Sequence, residues 1–277
     1  MHQQFTWETK DGLKLFAQVW EPEGEVKAVI SLVHGLGEHS GRYKLLAQKF
    51  NEKGFVLLAF DQRGSGQSEG RRGHAPSYTV LLDDVEQLLD EAKKRYPGKA
   101  RFIYGHSLGG NLALNYCLRR NPPLEGMIVT SPWLKLAVEP PLIQIILGEI
   151  MDKIWPSFSQ ENGISANSLS HDPKIVRAYM EDPLVHNRIS VRLFSECYRA
   201  GHWALEHSKE LNIPLLLMHG TADGVTSPKA SQEFFENTDE GCTFKLWNGQ
   251  FHELHNELIK DQVSNFTLNW LERFINR

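Results

Sequence analysis

The chain has 277 residues, 41% hydrophobic and 23% charged, with a formal net charge of −4 at pH 7. That composition is ordinary for a soluble globular protein and suffices for one large α/β domain or a core carrying an insertion. Acidic and basic residues are interspersed and no basic stretch tracks a nucleic-acid backbone, so DNA and RNA are not expected as partners.

Residues 1–8 show neither the basic nor the apolar segment of a secretory signal, and no apolar run is long enough to cross a membrane. Cys117, Cys197 and Cys242 are odd in number and widely spaced. They match neither a disulfide framework nor a metal-ligand spacing, and they fit a reducing compartment. A cytoplasmic protein is the expectation.

Residues 5–9 and 13–20 read as a hairpin around Asp11-Gly12, with Leu13, Leu15, Ala17 and Val19 alternating toward a core. Residues 28–33 and 55–60 are near-continuous apolar runs, as expected of strands covered on both faces. A helix over 43–53, stopped by Gly54, lies between them. A second helix over 76–96 carries Val80, Leu81, Val85, Leu88, Leu89 and Ala92 as its apolar stripe. Strands follow at 101–104 and 126–130, with a helix from 111 between them. This alternation predicts a mainly parallel sheet with helices on both faces.

From Ser131 the rhythm breaks, and no buried strand is expected between 132 and 207. The apolar set Leu142, Ile143, Ile145, Ile146, Leu147, Ile150, Met151, Ile154 and Trp155 is wider than one surface-helix stripe. A loop-rich stretch with Pro156, Gly163, Asn167 and Pro173 precedes a helix over 190–207. Strand and helix then resume with strands at 213–219 and 243–247, a helix over 228–235, and a closing helix presenting Val263, Phe266, Trp270, Leu271 and Phe274.

The segment Gly105-His106-Ser107-Leu108-Gly109-Gly110 sits between strand and helix. A G-x-S-x-G pattern in that context describes a sharp turn that lifts a nucleophilic serine to the C-terminal edge of a sheet, beside the positive end of a helix. A serine hydroxyl needs a base, and the base needs an orienting acid. The loop after 215–219 offers Asp223 as its one carboxylate, and the loop after 243–247 offers His252 and His255. His252 is the expected base, because it follows the strand end sooner and Gly249 frees the turn. The oxyanion donors are expected from the Leu108 N–H and from the Leu36 N–H, the latter in the glycine-flanked loop His34-Gly35-Leu36-Gly37. The His34 ring is expected to pin that loop. There is no H-E-x-x-H or phosphate-loop pattern, so no metal or other cofactor is expected.

These residues resemble the α/β-hydrolases of the monoacylglycerol lipase and lysophospholipase group over nearly the whole chain. The resemblance is carried by residues 34–43 (HGLGEHSGRY), 61–68, 105–110, 220–223 and 252–257. It implies an α/β-hydrolase fold with a mainly parallel eight-stranded sheet, a core of residues 1–133 and 208–277, and a helical cap over 134–207. It also implies the triad Ser107, Asp223 and His252 and the oxyanion hole Leu36 and Leu108. Glu38, Arg42 and His255 lie where that family gathers polar groups beside a glycerol head or braces the loops; an ion pair bracing the loops is the favoured reading for Glu38 and Arg42. Tyr179 resembles a cap position facing the glycerol pocket.

The expected activity is cleavage of monoacylglycerols to glycerol and fatty acid. Lysophospholipase, short-chain carboxylesterase and acylaminopeptidase-like activities are the enzymatic alternatives, and a non-catalytic lipid or signal receptor is the alternative from another class. The expected partner is a small lipid ester. An apolar cap surface implies transient contact with membranes or micelles and a peripheral location there; the other reading buries the apolar helix between cap and core.

Overall fold

The computed structural model describes residues 1–238 and 241–275. The hairpin β1 (His2–Glu8) and β2 (Lys14–Trp20) is antiparallel, and β2 pairs antiparallel with β4 (Phe55–Phe60). The strands β3 (Ala28–Val33), β5 (Ala100–His106) and β6 (Gly126–Thr130) lie parallel to β4. A separate two-stranded pair, β7 (Ser159–Glu161) and β8 (Arg188–Ser190), precedes β9 (Leu215–Gly220) and β10 (Cys242–Trp247). The eight-stranded sheet has the order β1-β2-β4-β3-β5-β6-β9-β10, parallel from β4 onward.

Strand alternation divides the interior into two cores. Val29 and Val33 of β3 face one way, toward α2 (Tyr78–Arg95), α3 (Leu108–Arg120) and α7 (Pro228–Asn237). Ile30 and Leu32 face the other way, toward α1 (Lys44–Asn51) and α8 (Lys260–Ile275). Each such fully buried aliphatic side chain contributes roughly 1.5–3 kcal/mol. The central strands are covered on both faces, which is why they read as unbroken apolar runs.

Between β6 and β9 lie α4 (Leu142–Ile154), α5 (Pro173–Glu181) and α6 (Val191–Glu206). Helix α5 replaces part of the loop expected there. Asp172 caps it by accepting from the Lys174 N–H at 3.0 Å, and Pro173 occupies its first position, where a missing N–H costs nothing. Helix α4 does not take up the buried alternative. Its only buried residue is Asp152, held by Arg192, while Leu142 is 71% and Ile154 74% exposed. The segment is tied to the sheet side by His186 N–H to Gly37 O (2.9 Å), Ser190 N–H to Gly73 O (2.8 Å) and the His39–Asp182 pair (2.9 Å). No helix among the described residues is long and apolar enough to cross a membrane.

Candidate active site

The site forms at the C-terminal ends of the parallel strands. Ser107 follows β5 as the N-cap of α3 with φ 54° and ψ −116°, a conformation that strains any residue with a Cβ. The turn closes because its glycines admit backbone contact. A Cβ at Gly105 would lie 2.5 Å from the Gly109 carbonyl oxygen, and one at Gly109 would strike the Val33 carbonyl oxygen. The Ser107 N–H donates to Thr130 O and its carbonyl accepts from the Trp133 N–H, both at 3.0 Å, so the turn is held against β6.

Asp223 lies in the turn after β9, and His252 in the loop after β10. The His252 Nδ1 stands 2.7 Å from Asp223 Oδ2. An ionised carboxylate can only accept, so His252 carries its proton on Nδ1 and leaves Nε2 free as a base. Burial alone would raise the Asp223 carboxyl, but the His252 charge and the imidazole hydrogen bonds outweigh it and hold the group well below the usual range. For His252, burial opposes charging, yet Asp223 wins and raises the imidazole above 6.5. Ser107 and His252 line one cavity with Gly35, Leu36, Glu38, His106, Ile164, Leu169, Tyr179 and Glu253. Its volume is about 10 Å³, room for roughly one water molecule.

The Leu36 loop is braced at both ends. The Gln62 backbone N–H donates to His34 Nε2 at 2.9 Å, so the ring proton is on Nδ1 and donates to Gly35 O at 2.7 Å. Glu38 Oε1 accepts from the Gly35 N–H (2.6 Å) and from the Tyr43 hydroxyl (2.8 Å). Arg42 joins Glu38 (2.7 Å) to Glu253, with which it is bidentate at 2.6 and 2.7 Å. The candidate oxyanion loop and the His252 loop are thus clamped by one buried guanidinium. Burial opposes the Glu253 charge, but Arg42 overrides it and brings the carboxyl down to about 2. The Arg42 guanidinium also lies 4.8 Å from the Tyr179 ring centroid, which carries the clamp to α5.

The sequence-derived residues therefore divide. Leu36, Glu38, Ser107, Tyr179 and His252 reach the cavity, while Asp223 stands behind His252 and Arg42 behind Glu38. Leu108 opens α3, where first-turn N–H groups have no intrahelical partner. His255 is buried away from the cavity, stacked on Tyr43 at 4.4 Å with neither ring nitrogen hydrogen-bonded. Burial brings its imidazole down to about 4.

Sequence reasoning passed over Glu253, Ser131 and His219. Ser131 follows β6 at φ 46°, and its hydroxyl donates to the His252 carbonyl at 2.8 Å. His219 ends β9 with its Nε2 2.9 Å from Asp223 Oδ2. Glu253 could have been suspected as a carboxylate beside the expected base; nothing local marks the other two.

A second, apolar cavity of about 550 Å³ lies between α4 and α6, with Leu136, Ile145, Met151, Phe158, Ile189 and Phe194 in its wall. It shares no lining residue with the cavity at Ser107.

The family model described as serine aminopeptidase, S33, matches residues 24–259. An uncharacterized abhydrolase domain-containing protein of Dictyostelium discoideum is 37% identical over 96% of this chain, which spans 28% of that longer protein. A monoglyceride lipase of Homo sapiens is 31% identical over 96% of this chain and 88% of its own. The crystal structure of Paleococcus ferrophilus monoacylglycerol lipase superposes with a TM-score of 0.86 at 32% identity, covering 94% of this chain and 99% of that one.

Proposed function

The chain belongs to the serine aminopeptidase, S33, family of α/β-hydrolase enzymes, and from that premise we propose that it hydrolyses monoacylglycerols to glycerol and fatty acid. The observation that carries the mechanism is the meeting of Ser107 and the Asp223-bound His252 in one cavity beside the Leu36 loop. His252 Nε2 takes the Ser107 proton as Oγ attacks the ester carbonyl, and Asp223 steadies the imidazolium. The Leu36 and Leu108 N–H groups bind the oxyanion. Collapse of the tetrahedral intermediate breaks the ester bond, and His252 returns the proton to the departing glycerol. Water, activated by the same imidazole, then releases the acid from Ser107.

The likeness to the human and Paleococcus ferrophilus lipases supports the substrate class. Residues 134–207 act as a cap over core residues 1–133 and 208–277. The apolar cavity under α4 takes the acyl chain, after a shift that opens it toward Ser107, while Glu38 and Tyr179 face the head group. The exposed apolar side of α4 meets a lipid surface, which makes this a cytoplasmic enzyme peripheral to membranes.

The test is fatty-acid release from 1-monoacylglycerols of graded chain length, beside lysophosphatidylcholine and p-nitrophenyl butyrate, with Ser107→Ala as blank. The expected result is preference for a medium or long monoacylglycerol and a loss of at least about 10³-fold in the blank. Preference for lysophosphatidylcholine, or turnover confined to the butyrate ester, overturns the substrate assignment. Undiminished turnover by Ser107→Ala overturns the nucleophile.

A further inference from the structure

The Asp223 carboxylate serves a second histidine. Its Oδ1 accepts the backbone N–H groups of Val225 (2.7 Å) and Thr226 (3.1 Å). Its Oδ2 lies 2.7 Å from His252 Nδ1 and 2.9 Å from His219 Nε2. With the two imidazole N–H groups on Oδ2, all four lone-pair positions are filled. The Thr226 hydroxyl, 3.0 Å from both Oδ2 and Ser131 O, is then free to donate to the carbonyl. His219 is fully buried, and its Nδ1 lies 2.7 Å from Ser231 Oγ on α7. Since Nε2 must donate to the carboxylate, Nδ1 accepts the Ser231 hydroxyl proton, and that bond fixes the tautomer.

Resting on the serine-hydrolase reading, we infer that His219, held by Ser231 in its Nε2–H form, is a positioning residue that shares Asp223 Oδ2 with His252 and so limits how strongly the carboxylate retains the imidazolium. A neutral donor on the same oxygen spreads the anionic charge that His252 would otherwise hold alone. It also aims Oδ2 midway between two rings, which fixes the plane of the base. The two histidines are unequal by environment. Burial is the larger influence on His219 and keeps it below its ordinary value despite Asp223, whereas Asp223 prevails at His252. The other groups facing His252 are the His106 ring at 4.8 Å, the Thr226 hydroxyl at 3.4 Å from Nδ1, and the charges of Glu253 and Glu38. Arg42 and His255 press on it through Glu253 and His106. Removing the His219 donor changes none of these, so a shift in His252 titration isolates the shared oxygen.

The experiment compares wild type, His219→Met, His219→Gln and Ser231→Ala. It follows the pH dependence of kcat/KM on p-nitrophenyl butyrate and, independently of turnover, the NMR titration of the His252 ring. His219→Met is expected to raise the His252 midpoint by about half to one unit and to lower kcat by about tenfold with KM unchanged. His219→Gln, whose amide N–H can reach Oδ2, restores the wild-type midpoint. Ser231→Ala, which removes only a hydroxyl and guards against a misfolded His219→Met, moves the midpoint the same way by a smaller amount. An unchanged midpoint in folded His219→Met and Ser231→Ala overturns the inference, even if their stability falls. A wild type without turnover overturns the hydrolase reading instead, and the NMR titration then still decides whether the oxygen is shared.

Discussion

The two sides of the candidate active site are built on opposite principles. On the sheet side, the buried carboxylates are multiply bonded: Asp223, Glu38 and Glu253 are all under 7% exposed and each is bonded to at least two donors, the buried His255 ring beside them being the exception. On the side between β6 and β9, α4 turns isoleucines and leucines outward and leaves a large apolar cavity beneath them. Saturated buried networks hold one geometry because each lost bond leaves a costly charge or dipole. Helix α4 has one such tie, Asp152 to Arg192, and its exposed apolar residues have none, so it shifts at less cost. The contrast places a fixed geometry at Asp223, Glu38 and Glu253 and freedom to move at α4.

The comparison breaks most sharply at Arg42. Arg42→Met leaves Glu38 and Glu253 as unpaired buried carboxylates, and a loss of about 3–5 kcal/mol in folding stability is expected from denaturant unfolding. A loss under 1 kcal/mol would mean that the clamp is ornamental. Acid should damage the same side next. His255 is depressed from 6.5 to about 4 by burial, so its contribution is fully present above pH 6.5 and is lost as pH falls through about 4. That amounts to about 3 kcal/mol, read as a fall in unfolding free energy between those pH values. The His255→Phe variant, which keeps the stack on Tyr43, should shrink the fall by that amount, the remainder belonging to other imidazoles depressed by burial, His186 and His106 among them.

A subtler effect concerns rate. His252 is raised above 6.5 and must be neutral to accept the Ser107 proton, so kcat/KM should fall on acidification with a midpoint above pH 6.5. A midpoint below it would contradict the assigned base. The smallest stability change belongs to the other side. Replacing exposed Leu142 and Ile143 of α4, which do not line the apolar cavity, by serine should alter stability by less than about 0.5 kcal/mol each. Turnover of vesicle-borne monoacylglycerol should drop several-fold while p-nitrophenyl butyrate hydrolysis stays level. Equal loss on both substrates would show that α4 acts through the fold rather than the surface.

Much of the sheet was legible because a strand covered on both faces must be apolar throughout, and residues 28–33 and 55–60 are. Ser107 was legible because only small residues permit its turn, and Asp223 and His252 because they stand on loops after later strands. Their roles remain the proposal tested above. The direction in which α4 faces was not legible, since a helix apolar on most sides carries no polar stripe to point toward water. Helix α5 could have been read from Asp172-Pro173, an N-cap followed by proline. The Arg42–Glu253 clamp spans 211 residues, and the His219–Asp223 bond depends on where β9 ends; neither has a local signature.

The central claim is that Ser107 is an activated nucleophile. It is tested most directly by intact-mass analysis of the protein after a fluorophosphonate probe, followed by peptide mapping. One adduct on the peptide holding Ser107 is expected, absent in Ser107→Ala and slowed by at least about 10²-fold in His252→Ala. A folded protein that stays unlabelled, or that carries its adduct on another residue, would contradict it.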